Sequence, residues 1–234
     1  TMITQYPGQN YYSLVRQYGK TYIHNNFSLI SHPVDKRENY IKRCVALPGD
    51  TLTIENGRVW VNNEVLPEIN TLKYKFYVST NGLKLPATFL DSLGVEQNEV
   101  TYNPANSLQV IYLTMSQSEQ VEKHPSVRGI KRFVEPRLSF RNPEIFPHHK
   151  SFRYTTDQFG PIWIPQKGAT ITLHRRNFAL YERLIKVYEH NKLEYREGVS
   201  YINNKPSNRY TFQMDYYFVM GDNRHNSADS RYWG

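Results

Sequence analysis

The alternation of apolar and polar positions predicts a chain made mostly of short strands. Residues 40–47 (YIKRCVAL) are apolar-rich and stop at the turn Pro48-Gly49-Asp50. Residues 51–54 and 58–61 flank Asn56-Gly57, a two-residue signal for a tight hairpin. Leu52 and Ile54 share one face of that hairpin, as do Val59 and Val61, so it packs on one side. Upstream, residues 11–19 (YYSLVRQYG) predict a short helix that ends at Gly19.

Residues 73–136 have a different texture. KYKFYVST alternates as a strand, LPATFLDSLG has helical spacing, and LQVIYLTM is again a strand. SQSEQVEKH opens with Ser116 and Glu119 in capping-box register, and IKRFVEP ends the segment as a strand. The order β-α-β-α-β between all-β neighbours predicts a small inserted α/β domain. The expected organisation is therefore residues 1–72 as the first part of a β core, 73–136 as the insertion, 137–160 as a proline-bearing linker, and 161–234 as the second part of the core, with one helix near residues 178–189. NGRVWVNNEVL (56–66) is echoed by EGVSYINNKPS (197–207); two related halves of one core and chance likeness of two hairpins both account for it.

Composition adds to this picture. Nineteen tyrosines and eleven phenylalanines suit pleated, half-buried surfaces, and 39% hydrophobic against 21% charged residues describes an ordered globular chain. The net charge of +8 is compatible with nucleic acid, an anionic membrane surface or acidic ligands, but the basic residues come as scattered pairs such as Lys42-Arg43 and Arg175-Arg176. Cys44 is the single cysteine, which excludes an intrachain disulfide framework. No apolar run approaches the roughly 18 residues of a membrane span, and no signal peptide is present. The chain starts at Thr1 rather than methionine, which reads as a trimmed product.

Two stretches carry candidate chemistry. In a strand, Tyr40, Lys42, Cys44 and Ala46 would point one way and Ile41, Arg43, Val45 and Leu47 the other. Lys42 then sits on a mildly apolar face with no acid beside it in sequence. Burial there disfavours its charged form, which suits an amine that must accept a proton; the alternative is a packed stem with its ammonium in water. The closing stretch MGDNRHNSADSRYWG (220–234) crowds Asp222, Arg224, His225, Asp229 and Arg231 behind an apolar strand. Arginine forks gripping carboxylates would lock such a loop, and Ser227 and Asp229 would face a nearby amine; the alternative is a structural loop whose charges pair among themselves. A calcium loop starting at Asp222 fails, since Ser227 stands where glycine is needed and Trp233 where the closing glutamate is needed. A zinc site has neither the thiolates nor the histidine spacing.

YIKRCVALPGD and MGDNRHNSADSRYWG together resemble two signature segments of bacterial type I signal peptidases, membrane-anchored serine proteases that remove signal peptides from exported proteins. The spacing, with a large insertion between the segments, looks most like the enzymes of the Bacteroides group. The resemblance implies a mainly β catalytic core carrying the small α/β insertion. It makes Lys42 the general-base lysine, followed by Arg43; Ser227 and Asp229 help orient the lysine, and Asp222, Arg224 and Arg231 brace the closing loop, with Arg224 and Arg231 expected to tie up its aspartates. His225 departs from the aspartate more often found there and is expected to alter one loop ion pair.

The family's nucleophile is a serine in a Ser-Met-x-Pro-type segment before the lysine. Before Lys42 this chain has only Ser13, Ser28 and Ser31, none in that context, so no nucleophile is assigned in the chain, which is expected to be an inactive fragment lacking that segment and a membrane anchor. The implied substrates are signal peptides of exported preproteins, cleaved at the outer or periplasmic face of the cytoplasmic membrane, with no cofactor, no metal and no nucleic-acid partner. The alternatives are a non-catalytic signal-peptidase-like binding or assembly partner, and a basic nucleic-acid-binding protein.

Overall fold

Residues 11–29, 40–137 and 142–234 are described by the computed structural model, in which the chain divides at Ile41 into two units. In the first, Tyr11–Tyr18 (α1) and Lys20–Asn26 (α2) are separated by Gly19, whose φ of 83° no side-chain-bearing residue adopts cheaply. The predicted helix stop at Gly19 is met, and a second short helix begins immediately after it.

The second unit begins at Lys42. Its elements are Arg43–Ala46 (β1), Thr51–Glu55 (β2), Arg58–Val61 (β3), Glu64–Val65 (β4), Tyr74–Thr80 (β5), Ala87–Ser92 (α3), Val100–Asn103 (β6), Leu108–Leu113 (β7), Met115–Glu122 (α4) and Val127–Arg132 (β8). There follow Gln158–Trp163 (β9), Thr170–Thr172 (β10), Phe178–Arg183 (α5), Leu193–Arg196 (β11), Val199–Ile202 (β12), Lys205–Pro206 (β13), Arg209–Thr211 (β14), Phe218–Met220 (β15) and Ser230–Trp233 (α6). The fold is mainly β, as the sequence predicts. Strands β4-β3-β2-β9 form one antiparallel sheet, and β1 pairs with β15, β10 with β14, and β11-β12-β13 make a meander.

The Asn56-Gly57 turn closes β2 onto β3 with Glu55 opposite Arg58, both turn residues at positive φ (52° and 76°). The one-sided hairpin buries Leu52 and Ile54 against Phe159, Phe212, Phe218 and Met220 in one apolar cluster. The sequence echo is geometric as well. Glu197-Gly198 turns β11 into β12 as Asn56-Gly57 turns β2 into β3, and Asn203-Asn204 matches Asn62-Asn63, all eight residues at positive φ. In each copy the first asparagine of the second turn accepts a backbone N–H through Oδ1 at 2.9 Å, Asn62 from Thr51 and Asn203 from Lys192.

A second cluster, around Phe76, Val78, Leu90, Ile111, Leu113 and Val121, belongs to the segment expected as an insertion. Its strands lie in the antiparallel order β6-β7-β5-β8 and its chain order is β-α-β-β-α-β, the split β-α-β arrangement. The expected β-α-β-α-β order lacks β6. Val100–Asn103 alternates only between half-buried and exposed positions, so its hydrophobic signal is weak. The cap of α4 also differs: Thr114 and Gln117, not Ser116 and Glu119, exchange side-chain and backbone hydrogen bonds at 3.2 and 2.8 Å.

Two further expectations are corrected. The stretch read as a linker contributes Ile145, Phe146, Tyr154 and Phe159 to the main cluster, and its end is strand β9. Strand β1 does not alternate; Arg43 and Cys44 are exposed and Val45 and Ala46 buried, because its register with β15 slips between Cys44 and Ala46. Tyr40 and Ile41, just before it, are 73% and 95% exposed.

Candidate functional site

Pairing of β1 with β15 sets Arg43 opposite Met220, so Lys42 and Gly221 follow as neighbours at the end of the ladder. Gly221 is buried and has no room for a side chain. A β-carbon there would stand 2.6 Å from Ser227 Cβ and 3.5 Å from Lys42 Cδ. The half-buried stem of Lys42 and the Ser227 side chain therefore flank one bare backbone position. Ser227 Oγ is buried and makes no hydrogen bond among the described residues, at the point where the closing loop meets Lys42.

Asp229, fully buried, is saturated by other donors. Its Oδ2 accepts from the Gly221 N–H at 3.0 Å and from Arg231 Nη2 at 2.7 Å; its Oδ1 accepts from Arg231 Nε at 2.9 Å and the Arg231 N–H at 3.2 Å. Arg231, 1% exposed, also donates through Nη2 to the Arg224 carbonyl at 2.6 Å and through Nη1 to the Thr156 carbonyl at 3.4 Å. Burial alone would lower its pKa, but the Asp229 hydrogen bonds and charge outweigh that and hold it above the usual arginine value. Ser230 Oγ accepts from the Val219 N–H at 3.1 Å, so the loop is laced to β15 at several points.

Asp222 is held from a different side than the sequence suggests. Arg43 donates from Nε and Nη2 to both its oxygens at 3.0 and 2.9 Å, and Thr71 Oγ1 adds a third hydrogen bond at 3.0 Å. The Arg43 hydrogen bond is the main cause holding the Asp222 carboxyl below its ordinary pKa. Arg224, expected to tie up a loop aspartate, makes no ion pair among the described residues; its Nη1 donates to Met220 Sδ at 3.1 Å. Burial is the first cause lowering its pKa, followed by the charge of Arg231.

The loop is also fastened to the second cluster's sheet. Lys73 N–H donates to the Asp222 carbonyl at 2.9 Å and its carbonyl accepts from the Arg224 N–H at 2.8 Å. Lys73 Nζ holds both oxygens of Glu99 at 2.9 and 2.7 Å, and Asn223 Nδ2 reaches Glu99 at 3.2 Å. His225 Nδ1 accepts the Lys75 N–H at 3.2 Å, so the proton sits on Nε2, which donates to Asp157 Oδ2 at 2.8 Å. His225 is thus a bridge to β5 and to Asp157, not a change in one ion pair within the loop. Thr71, Lys73, Glu99 and Asp157 carry no sequence signal for this role. Even Asp157, the nearest of them along the chain, is 68 residues from its loop partner His225. Gly221 lies inside the closing stretch, and a glycine directly after an apolar strand is the available cue to its role.

The structure thus brings Lys42 and Ser227 to one point, gathers Asp229 and Arg231 behind them, and joins Arg43 to Asp222. No helix among the described residues is long and apolar enough to cross a membrane. A family model described as signal peptidase, peptidase S26, matches residues 10–122 and 168–234. The matched stretches take in Lys42, Arg43 and the whole closing loop, and they leave out 123–167. No curated protein and no solved structure matches the chain.

Proposed function

Since the chain belongs to the S26 signal peptidase family, whose members are serine endopeptidases that process signal peptides, we propose that Lys42 is the general base of a Ser/Lys dyad. The observation that carries this reading is that the Lys42 stem and Ser227 both flank Gly221, where a side chain has no room. In such a dyad the uncharged amine takes the serine proton as the hydroxyl attacks the scissile carbonyl, then returns a proton to the leaving amine. Ser227 offers an oxygen without a hydrogen-bond partner among the described residues, near the lysine stem, and Asp229, neutralised by Arg231, fixes the loop that carries it. The Arg43–Asp222 pair anchors the residue after Lys42, which limits how the lysine can swing.

The nucleophile belongs, on this reading, to a Ser-Met-x-Pro segment N-terminal to Lys42. Ser13, Ser28 and Ser31 lack that context, which supports a nucleophile encoded ahead of residue 1 and an inactive chain without it. The substrates are signal peptides of exported preproteins, cut at the outer face of the cytoplasmic membrane, in an enzyme of the Bacteroides-group type. The test is cleavage of a fluorogenic signal-peptide substrate by the chain alone and by the full-length gene product. The chain alone is expected to be inert, and the full-length protein active and silenced by Lys42→Ala. Cleavage that survives Lys42→Ala overturns the assignment.

A further inference from the structure

A cavity of about 290 Å³ lies between the β2–β3 hairpin and the start of β5, with Arg58, Leu66, Glu68, Tyr74 and Arg224 among its walls. Arg224 is the unusual member. It is 6% exposed, it lines this cavity, and its single side-chain hydrogen bond among the described residues is to the Met220 sulfur, a weak acceptor. A guanidinium removed from water without a carboxylate partner is costly, and proteins normally pair such a charge. Its neighbourhood is rich in positive charge. Among the described residues, Arg58 lines the same cavity without an ion pair, and Arg132 stacks on the Tyr74 ring at 3.6 Å with its buried Nε and Nη2 lacking hydrogen-bond partners. Asp222 and Asp229 act on Arg224 through their charge while Arg43 and Arg231 hold them, and two more carboxylates lie near these groups. Glu68 accepts from Tyr74 at 3.3 Å and lies 3.6 Å from Arg132 Nη1, and Asp157 lies behind Gly57 and is engaged by His225.

We propose that this cavity is a binding site for a small organic carboxylate whose head pairs with Arg224 and whose apolar body lies along Val59, Leu66 and Leu72. A planar carboxylate matches the fork of an arginine whose remaining donors have no partner among the described residues. Val59, Val65, Leu66 and Leu72 in the wall offer apolar contact that an organic carboxylate can use and inorganic phosphate cannot. The volume exceeds what a bare inorganic anion fills, so an aliphatic tail adds burial as well as charge pairing. Nothing in the proposed cleavage reaction uses this cavity. An occupant would grip the closing loop through Arg224, whose carbonyl is held by Arg231 and whose N–H is held by Lys73.

The experiment titrates the chain with hexanoate, acetate and inorganic phosphate at matched ionic strength, reading heat of binding and thermal midpoint. Hexanoate is expected to bind saturably, at least tenfold more tightly than acetate or phosphate, and to raise the midpoint. Arg224→Gln and Leu66→Trp, the second filling the cavity without touching the charge, are each expected to weaken hexanoate at least tenfold. If Arg224→Gln does not fold, as read by far-ultraviolet circular dichroism, Leu66→Trp decides alone. Absence of saturable hexanoate binding, equal affinity for phosphate, or binding that survives Leu66→Trp overturns the proposal.

Discussion

Gly221 and Ser227 approach so closely that a β-carbon on the glycine would stand 2.6 Å from the serine's own. A stretch of charged loop separates them in sequence, yet they form one wall beside the Lys42 stem. Gly221→Ala is expected to cost about 1–3 kcal/mol by overpacking and to push Ser227 away from the lysine. Urea unfolding of the chain reads the first effect. On the proposed function, a change in signal-peptide turnover larger than the stability loss explains reads the second.

The Asp229–Arg231 pair is the most buried charge pair of the loop, at 0% and 1% side-chain exposure for aspartate and arginine. Removing one partner leaves the other charge stranded, so Asp229→Asn or Arg231→Met alone is expected to cost about 3–5 kcal/mol. The double variant should lose markedly less than the sum of the two. A double-mutant cycle by urea denaturation tests this, and simple additivity would contradict the pairing described above.

Acid should release the Arg43–Asp222 tie. Hydrogen bonding from Arg43 holds the native Asp222 carboxyl below its ordinary value of 3.8, so the unfolded chain takes up this proton first as pH falls. The stabilisation is present above 3.8 and disappears as pH drops through the native value. Asp222→Asn is expected to flatten the pH dependence of the urea midpoint below about pH 4 and to leave its slope near neutrality unchanged.

Alkali acts through buried tyrosines, of which Tyr154 and Tyr181 are two. Burial pushes Tyr154 and Tyr181 up to about 12, with their hydroxyls donating to the Pro161 and Trp163 carbonyls at 3.4 and 3.3 Å. Both are protonated in folded and unfolded chains below about pH 10. Above it the unfolded chain ionises first, so stability falls between about pH 10 and 12, by roughly 2–3 kcal/mol for each tyrosine. Tyr210 and Tyr216, which donate to Glu189, are raised further still, mainly by burial. Absorbance at the phenolate band should therefore show a late-ionising set that includes all four, and Tyr181→Phe should remove one member of it.

His225→Asp is expected to destabilise this chain by roughly 3 kcal/mol. The new carboxylate would face Asp157, whose side chain is 2% exposed, and would repel it. Unfolding midpoints of His225→Asp and His225→Gln separate the causes, because the neutral amide lacks the repulsion and should lose less.

Local chemistry made much of this architecture legible. Asn56-Gly57 announces its hairpin because two consecutive positive φ angles are cheap for that pair, and Gly19 announces a helix end for the same reason. Residues 220–234 and Lys42 can be joined from sequence, but only through family resemblance. What escaped reading depends on distant partners. Arg43 rather than Arg224 holds Asp222 because β1 lies beside β15, which brings together residues 179 positions apart. Strand β6 escaped because an edge strand with alternating half-exposed positions has little hydrophobic contrast. The proline-bearing stretch before β9 reads as linker by composition, while its aromatic residues are what the core retains.

The Lys73 and Lys75 contacts have a practical corollary for anyone hoping to pare this protein down. Deleting the split β-α-β module would strip backbone partners from Asp222, Arg224 and His225 at a stroke, leaving the terminal hook with loose stitches on one side. A shortened version would need a replacement strand edge at residues 73–75, because the module works as scaffolding for the end of the chain and cannot be treated as cargo.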